Sequence, residues 1–138
     1  MVLNSNIYLD YQSTTPVDSK VIEAMEPYLN THFANPHSTE HVMGKFVSDS
    51  IEESRIKISK LINCESREIV FTSGATESNN IAIKGAARFY KDKNKNEIIT
   101  INTEHKCVIE SFHSLIKEGF KVVILPVENN GILDINKL

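Results

Sequence analysis

From residue 68 onward, short apolar runs alternate with amphipathic segments, and this alternation constrains the fold more than any other feature of the chain. The apolar runs predict strands at residues 68–72, 98–101 and 121–125. Apolar side chains at three- and four-residue spacing predict a helix in each interval, and Gly119 stands where a glycine commonly ends a helix. Strands that alternate with helices in this way indicate an α/β fold with a largely parallel sheet.

The first part of the chain is predicted to be mostly helical. Residues 7–10 predict a short strand that is followed by a polar turn. Asp18 is predicted to cap a helix in which Pro27 should cause a kink or an early end. A loop over residues 31–41 then precedes a long amphipathic helix over residues 43–61.

Composition places the chain in a broad class. Its 138 residues, 41% hydrophobic content and net charge of −3 fit one soluble domain without an electrostatic surface for nucleic acid. No apolar run is long enough to span a membrane, and no signal or transit peptide is visible. Cys64 and Cys107 are too few for a disulfide framework. We therefore expect a cytoplasmic location, with the mitochondrial matrix less favoured.

The segment FTSGATES, at residues 71–78, leads from a predicted strand directly into a predicted helix. Gly74 permits a tight turn, and free amides of Ala75 and Thr76 would point outward at the positive end of the helix. With the hydroxyl groups of Ser73 and Thr76, this loop suits a phosphate monoester. A capped helix without any ligand explains the same residues equally well.

Thr103, Glu104 and His105 follow the predicted strand at 98–101, where side chains line the ligand crevice of a parallel sheet. An imidazole there can stack on a planar cofactor or transfer protons. A helix-capping or surface histidine is the alternative, and position alone favours it. Cys107 is interpreted as a small helix residue, because side chains two positions apart do not share a helix face.

A metal site is not predicted. His37 and His41 are four residues apart, a spacing that can hold zinc, but Pro36 lies in the same irregular loop and no third ligand is near.

Four segments stand in order along the chain. They read YLDYQSTTPVD, FANPHSTEHVMG, EIVFTSGATESNN and NTEHKCVIES. Together they resemble the opening part of a cysteine desulfurase of the iron–sulfur-cluster-assembly type, in the class V, fold type I family of pyridoxal-phosphate enzymes. The SGATES loop alone would indicate only a broader class of such enzymes, whereas the TTP turn, the NPHS loop and the TEHK run are typical of the desulfurase branch.

The resemblance implies a fold and its division. The chain would form the truncated N-terminal portion of a fold type I large domain, with three strands of its mostly parallel sheet. Residues 1–15 would form a strand and turn belonging to the small domain or active site, and residues 16–138 an incomplete cofactor-binding domain. The chain is expected to be a fragment, since it resembles only the opening part of the family.

The resemblance also implies roles for individual residues. Gly74, Ala75 and Thr76 would hold the phosphate of pyridoxal 5'-phosphate, and His105 would stack on its ring and handle protons. Two threonines of the N-terminal turn, Thr14 and Thr15, would lie on the substrate side. Ser13 is a mild departure, since the family usually has alanine there.

The reaction that the resemblance implies converts L-cysteine to L-alanine and leaves sulfur as an enzyme-bound persulfide, for iron–sulfur clusters and tRNA thiolation. The family is homodimeric and delivers sulfur to a scaffold protein. Its Schiff-base lysine and nucleophilic cysteine lie on later segments, and Lys84, Lys106 and Cys107 match other family positions. The isolated chain is therefore expected to be inactive. Alternatives are a selenocysteine lyase, an aminotransferase, or a non-catalytic remnant that docks with a full-length desulfurase.

Overall fold

The structure, a computed structural model, describes residues 7–91, 93 and 95–138. Within these residues the α-helices and β-strands are α1 (Ser19–Asn30), α2 (Val42–Ile62), α3 (Ala75–Lys91), β1 (Glu97–Ile101), α4 (Lys106–Ile116) and β2 (Lys121–Leu125), and two 3-10 turns span Ser66–Glu68 and Ile135–Lys137. The chain divides into two compact units, the first ending at Ile69 and the second beginning at Val70. No helix in the described part is long and apolar enough to cross a membrane.

Helix α1 begins at the predicted cap and continues past Pro27. The Asp18 carboxylate accepts a hydrogen bond from the Lys20 amide at 2.8 Å, which confirms the predicted cap. Pro27 lies inside the helix, which continues to Asn30. Of the two predicted effects of Pro27, the early end is therefore wrong, and the kink stays a prediction. The Pro27 carbonyl still accepts from the Thr31 amide at 2.8 Å, so proline removes a donor here without preventing the last turn.

The first turn of helix α2 packs closely against the loop that precedes it. His41 is the N-cap, and its Nδ1 accepts from the Gly44 amide at 3.0 Å. A Cβ placed on Gly44 would lie 2.0 Å from the Ser38 carbonyl oxygen, so only glycine allows this approach. The far end of α2 is closed by Asn63 in the left-handed conformation, with φ of 56°.

The second unit is a small α/β arrangement. Strands β1 and β2 are parallel, with Glu97 opposite Lys121 and Ile101 opposite Leu125. Helices α3 and α4 pack against each other. The core cluster consists of Ala87, Leu115 and Phe120, with Ile83 and Ile98 packed against it. The predicted α/β class is confirmed.

Gly119 ends α4 as the sequence predicts. Its amide donates to the Ile116 carbonyl at 3.0 Å, and the Phe120 amide donates to the Leu115 carbonyl at 3.1 Å. This pair of hydrogen bonds is the Schellman motif, and Gly119 has the positive φ, 88°, that the motif requires. The turn places Phe120 on Leu115 in the core and directs the chain into β2.

Two predicted strands are wrong. Residues 7–10 form no strand, and Ile7 and Leu9 are each 85% exposed. In place of the strand at 68–72, a 3-10 turn spans Ser66–Glu68 and an unpaired segment follows it. The sheet described therefore has two strands rather than three. An apolar run becomes a strand only when a neighbouring strand accepts its hydrogen bonds, and neither run has one among the described residues.

Of the predicted segment 1–15, residues 1–6 lie outside the described residues. The polar turn that follows residue 10 is present, with the Ser13 amide donating to the Asp10 carbonyl at 3.0 Å. The division into domains at residue 15 stays a prediction.

Candidate functional site

The N-terminus of α3 presents free backbone donors. The Gly74 carbonyl accepts the first helical hydrogen bond, from the Ser78 amide at 3.1 Å. In the part of the chain that the structure describes, the Ala75 and Thr76 amides have no acceptor. Apart from Gly74 and its two chain neighbours, no atom of the described residues lies within 4 Å of the position that a Cβ on Gly74 would take. Two amides at the positive end of a helix, beside open space, suit an anionic oxygen ligand.

Ser73 does not serve as the free donor that sequence reasoning expected. Its amide and its hydroxyl both donate to the Glu77 carboxylate, at 2.6 and 2.7 Å. These hydrogen bonds stabilise the carboxylate and hold the pKa of Glu77 below its usual value. An anion at this loop would therefore rely on Ala75 and Thr76.

His105 is the N-cap of α4. Its Nδ1 accepts a hydrogen bond from the Cys107 amide at 3.2 Å, so the capping role that sequence position favoured is confirmed. Because Nδ1 is the acceptor, the hydrogen-bond pattern places the proton of the neutral ring on Nε2. The cap also restricts the orientation of the exposed ring.

Helices α3 and α4 share a cavity of about 380 Å³. The α3 side contributes Thr76, Asn80 and Lys84, and the α4 side contributes His105, Lys106, Cys107, Glu110 and Ser111. Thr76 and His105 belong to separate sequence motifs, each predicted to contribute to a ligand site, and they line the same cavity. The volume suits a small-molecule ligand, and two lysines against one glutamate favour an anionic one.

Cys107 has contacts that sequence reasoning missed. Its sulfur lies 3.1 Å from His105 Nδ1 and 3.2 Å from Asn79 Nδ2. The rule that residues two apart face different ways holds inside a helix, whereas His105 precedes the first helical residue and its ring folds back over the first turn. A histidine cap followed two residues later by cysteine is the signal that could have predicted this contact.

Thr14 and Thr15 are exposed and belong to the first unit. Their predicted role on the substrate side stays a prediction. Among residues 7–91, 93 and 95–138, no three His, Cys, Asp or Glu side chains are grouped so that they could hold a metal ion.

Comparison with known proteins assigns the family. Residues 7–138 match the family model described as aminotransferase class-V, so the chain belongs to that family. A cysteine desulfurase IscS from Rickettsia massiliae is 53% identical over 96% of this chain, which covers 32% of that protein. A probable mitochondrial cysteine desulfurase from Dictyostelium discoideum is 56% identical, with 96% of this chain matching 29% of that protein.

Solved structures agree with these relatives. A NifS-like protein superposes with a TM-score of 0.82 at 38% identity, over 91% of this chain and 34% of that one. A structure described as SspA in complex with cysteine gives a TM-score of 0.76 at 41% identity, over 86% of this chain and 34% of that one. The resemblance to cysteine desulfurases is confirmed, and the chain spans about a third of the length of these relatives.

Proposed function

We propose that this chain forms the phosphate-binding and ring-stacking side of the cofactor site in a pyridoxal-phosphate-dependent cysteine desulfurase. The activity is conversion of L-cysteine to L-alanine with retention of the sulfur as a protein persulfide. One observation carries the proposal: Thr76 and His105 lie 29 positions apart in the sequence and line the same cavity. The relatives named cysteine desulfurase support the reaction.

The residues present fit the phosphate of the cofactor. Within residues 7–91, 93 and 95–138 the Ala75 and Thr76 amides have no acceptor, the Thr76 side chain lines the cavity, and Gly74 leaves the approach open. Hydrogen bonds from backbone amides to an ionised phosphate are among the stronger hydrogen bonds in proteins. When bound, pyridoxal phosphate supplies the electron sink that the reaction needs.

His105 fits the ring of the cofactor. The hydrogen bond from the Cys107 amide to Nδ1 holds the imidazole in one orientation, which preorganises it for stacking. The same hydrogen bond leaves Nε2 as the ring atom that carries the transferable proton. His105 therefore orients the cofactor and holds a proton at Nε2.

The Schiff-base lysine and the persulfide-forming cysteine are proposed to lie in the family segments that these 138 residues do not match. Lys84 and Lys106 line the cavity but are not assigned the Schiff-base role, because their motifs match other family positions. We therefore propose that this chain alone does not turn over L-cysteine. The homodimer, the scaffold-protein partner and the cytoplasmic location belong to the same proposal.

Phosphate recognition is tested with a matched pair of ligands. Calorimetric titration of the chain should give weaker binding of pyridoxal than of pyridoxal phosphate, by about a hundredfold, because two charge-assisted hydrogen bonds are lost. Thr76→Val should weaken only the phosphorylated ligand, and Thr103→Val, a neighbouring exposed threonine outside the cavity, should change neither. Equal affinity for the two ligands would contradict the phosphate site.

The reaction is tested in a longer protein. Residues 1–138 are joined to the complementary C-terminal part of the Rickettsia massiliae relative, and alanine release is measured from L-cysteine and from L-selenocysteine. Turnover of both, or of L-cysteine alone, supports the desulfurase. Turnover of L-selenocysteine alone supports the lyase alternative. A folded, inactive chimera contradicts the enzyme proposal and favours a docking remnant. Alanine release from the 138-residue chain alone would contradict its proposed inactivity.

A further inference from the structure

The turn that follows β2 contains the only Asn-Gly pair in the sequence, Asn130 and Gly131. The Gly131 amide donates to the Glu128 carbonyl at 2.8 Å, and the Glu128 amide donates to the Ile132 carbonyl at 2.9 Å. Gly131 has a φ of 82°, in the left-handed region that glycine adopts at little cost. The geometry of the turn therefore favours a glycine directly after Asn130.

The Asn130 side chain is exposed and is oriented by its own turn. Its Oδ1 accepts a hydrogen bond from the Ile132 amide at 2.9 Å, and its Nδ2 donates to a Glu128 carboxylate oxygen at 3.4 Å. The first of these hydrogen bonds polarises the side-chain carbonyl of Asn130. Because Gly131 has no Cβ, its nitrogen is open to that carbonyl carbon. An electrophile and a nucleophile are thus adjacent in one exposed turn.

We propose that Asn130 is a self-modification site, at which the Gly131 nitrogen attacks the Asn130 side-chain amide and converts the residue to aspartate and isoaspartate. Water is the only other reactant. This inference concerns a turn of the second unit and does not depend on the proposed desulfurase function.

The step is balanced in atoms and charge. The Gly131 nitrogen loses its proton to hydroxide and forms a C–N bond to Asn130 Cγ. The bond from Cγ to the amide nitrogen breaks, and that nitrogen leaves as ammonia after it takes a proton from water. Water then opens the five-membered imide at either carbonyl, which gives aspartate or isoaspartate. No atom is oxidised or reduced.

Two hydrogen bonds of the folded turn act on this step in opposite directions. The Gly131 amide must first leave its neutral acceptor, the Glu128 carbonyl. The Ile132 amide, in contrast, donates to Oδ1, where negative charge develops when the nitrogen attacks. A hydrogen bond to a charged oxygen is stronger than one to a neutral oxygen, so the Ile132 donor outweighs the hydrogen bond that is lost.

The products change the turn. Either product carries a carboxylate in place of the amide that donates to Glu128, so an attraction becomes a repulsion between like charges. Isoaspartate also adds a methylene group to the backbone between the two ends of the turn. Conversion of Asn130 therefore loosens the chain directly after β2.

Asn102 provides an internal reference. It is also exposed, and its Oδ1 also accepts a backbone hydrogen bond, from the Val127 amide at 3.2 Å. Its successor is Thr103, whose branched Cβ hinders the approach of the backbone nitrogen. The comparison of Asn130 with Asn102 therefore isolates the effect of the residue that follows.

The experiment follows both asparagines in one sample. The 138-residue chain is incubated at neutral pH, with and without guanidinium chloride, and peptide mass spectrometry measures the conversion of each amide to a carboxylate. We expect Asn130 to convert at least about tenfold faster than Asn102 in the folded chain, and no faster in denaturant than in the folded chain. Equal rates for the two asparagines, or faster conversion of Asn130 in denaturant, would overturn the proposal.

A variant tests the nucleophile. Gly131→Asn adds a Cβ beside the attacking nitrogen and keeps the turn, because asparagine tolerates a positive φ and, beyond the chain neighbours, no atom of the described residues lies within 4 Å of that Cβ position. Conversion of Asn130 should slow at least about tenfold. Gly119→Asn, at a φ of 88° with an equally open Cβ position, is the matched control and should leave the rate unchanged. Undiminished conversion in Gly131→Asn, or equal slowing in both variants, would overturn the role of the Gly131 nitrogen.

Discussion

Helices α2 and α4 both begin at a histidine cap, and the two caps differ in what surrounds them. His41 accepts from the Gly44 amide beside a tightly packed loop, whereas His105 accepts from the Cys107 amide at the edge of an open cavity. The hydrogen bond is the same in kind. A histidine cap is therefore evidence neither for nor against a functional role. Whether the ring can also contact a ligand depends on the space beside it.

The N-terminus of α3 differs from both histidine caps. Among the described residues no histidine caps its first turn, and the Glu77 carboxylate accepts hydrogen bonds from the Ser73 amide and hydroxyl. In the part of the chain that the structure covers, the Ala75 and Thr76 amides have no acceptor. The three helices thus begin in three different ways: α2 at a packed terminus, α3 at a terminus with open amides, and α4 at a terminus with an exposed ring.

The largest effect is expected at the packed terminus. Gly44→Ala would bring a methyl group to 2.0 Å from the Ser38 carbonyl oxygen. Because this oxygen belongs to the backbone, a change of side-chain rotamer cannot relieve the clash. We expect a loss of at least about 3 kcal/mol in the free energy of unfolding, since an overpacked backbone contact must be relieved by moving the loop or the helix. Urea denaturation followed by circular dichroism measures this.

Gly85→Ala is the matched control. Gly85 lies inside α3, and beyond its chain neighbours and the backbone of its own helix no atom of the described residues lies within 4 Å of its Cβ position. The same substitution there should stabilise the chain by up to about 1 kcal/mol, because alanine favours the helix. Destabilisation by both substitutions to a similar extent would contradict the contrast between a crowded and an open position.

A smaller effect should distinguish the two histidine caps. His105→Asn should weaken binding of pyridoxal phosphate about tenfold, since the ring that we propose to stack on the cofactor is lost and the cap is retained. His41→Asn should leave binding unchanged. Calorimetric titration of both variants provides the measurement. If the two substitutions reduced affinity equally, the distinction between a packed and an open cap would be wrong.

The smallest effect concerns the acid response of the α3 terminus. The pKa of Glu77 is lowered in the folded chain, so its contribution to stability is present above the unfolded pKa and is lost as pH falls through the folded pKa. We expect Glu77→Gln to lower the melting temperature at neutral pH, and the difference from the unsubstituted chain to shrink in acid. A difference that stays constant or grows in acid would show that the carboxylate charge is not the cause.

Local signals predicted much of the fold. The cap at Asp18, the periodicity of α2 and the Schellman glycine Gly119 act through neighbours along the chain, so they are visible in the sequence. The strands at 97–101 and 121–125 were also found within one residue of their ends. The runs at 7–10 and 68–72 have the same apolar character and form no strand, because pairing depends on a partner elsewhere.

The candidate site, like the fold, combines features that local sequence predicts with features that depend on tertiary packing. The sequence alone determined that a histidine would follow β1, and it predicted free amides after Gly74 as one of two readings, since both depend on residues within one turn. Only the tertiary structure decided that α3 packs against α4, which brings Thr76 to the cavity that His105 lines and brings Asn79 to Cys107. Contacts of that kind join segments about 28 residues apart, and their geometry depends on the packing of helices over a common core rather than on any local pattern.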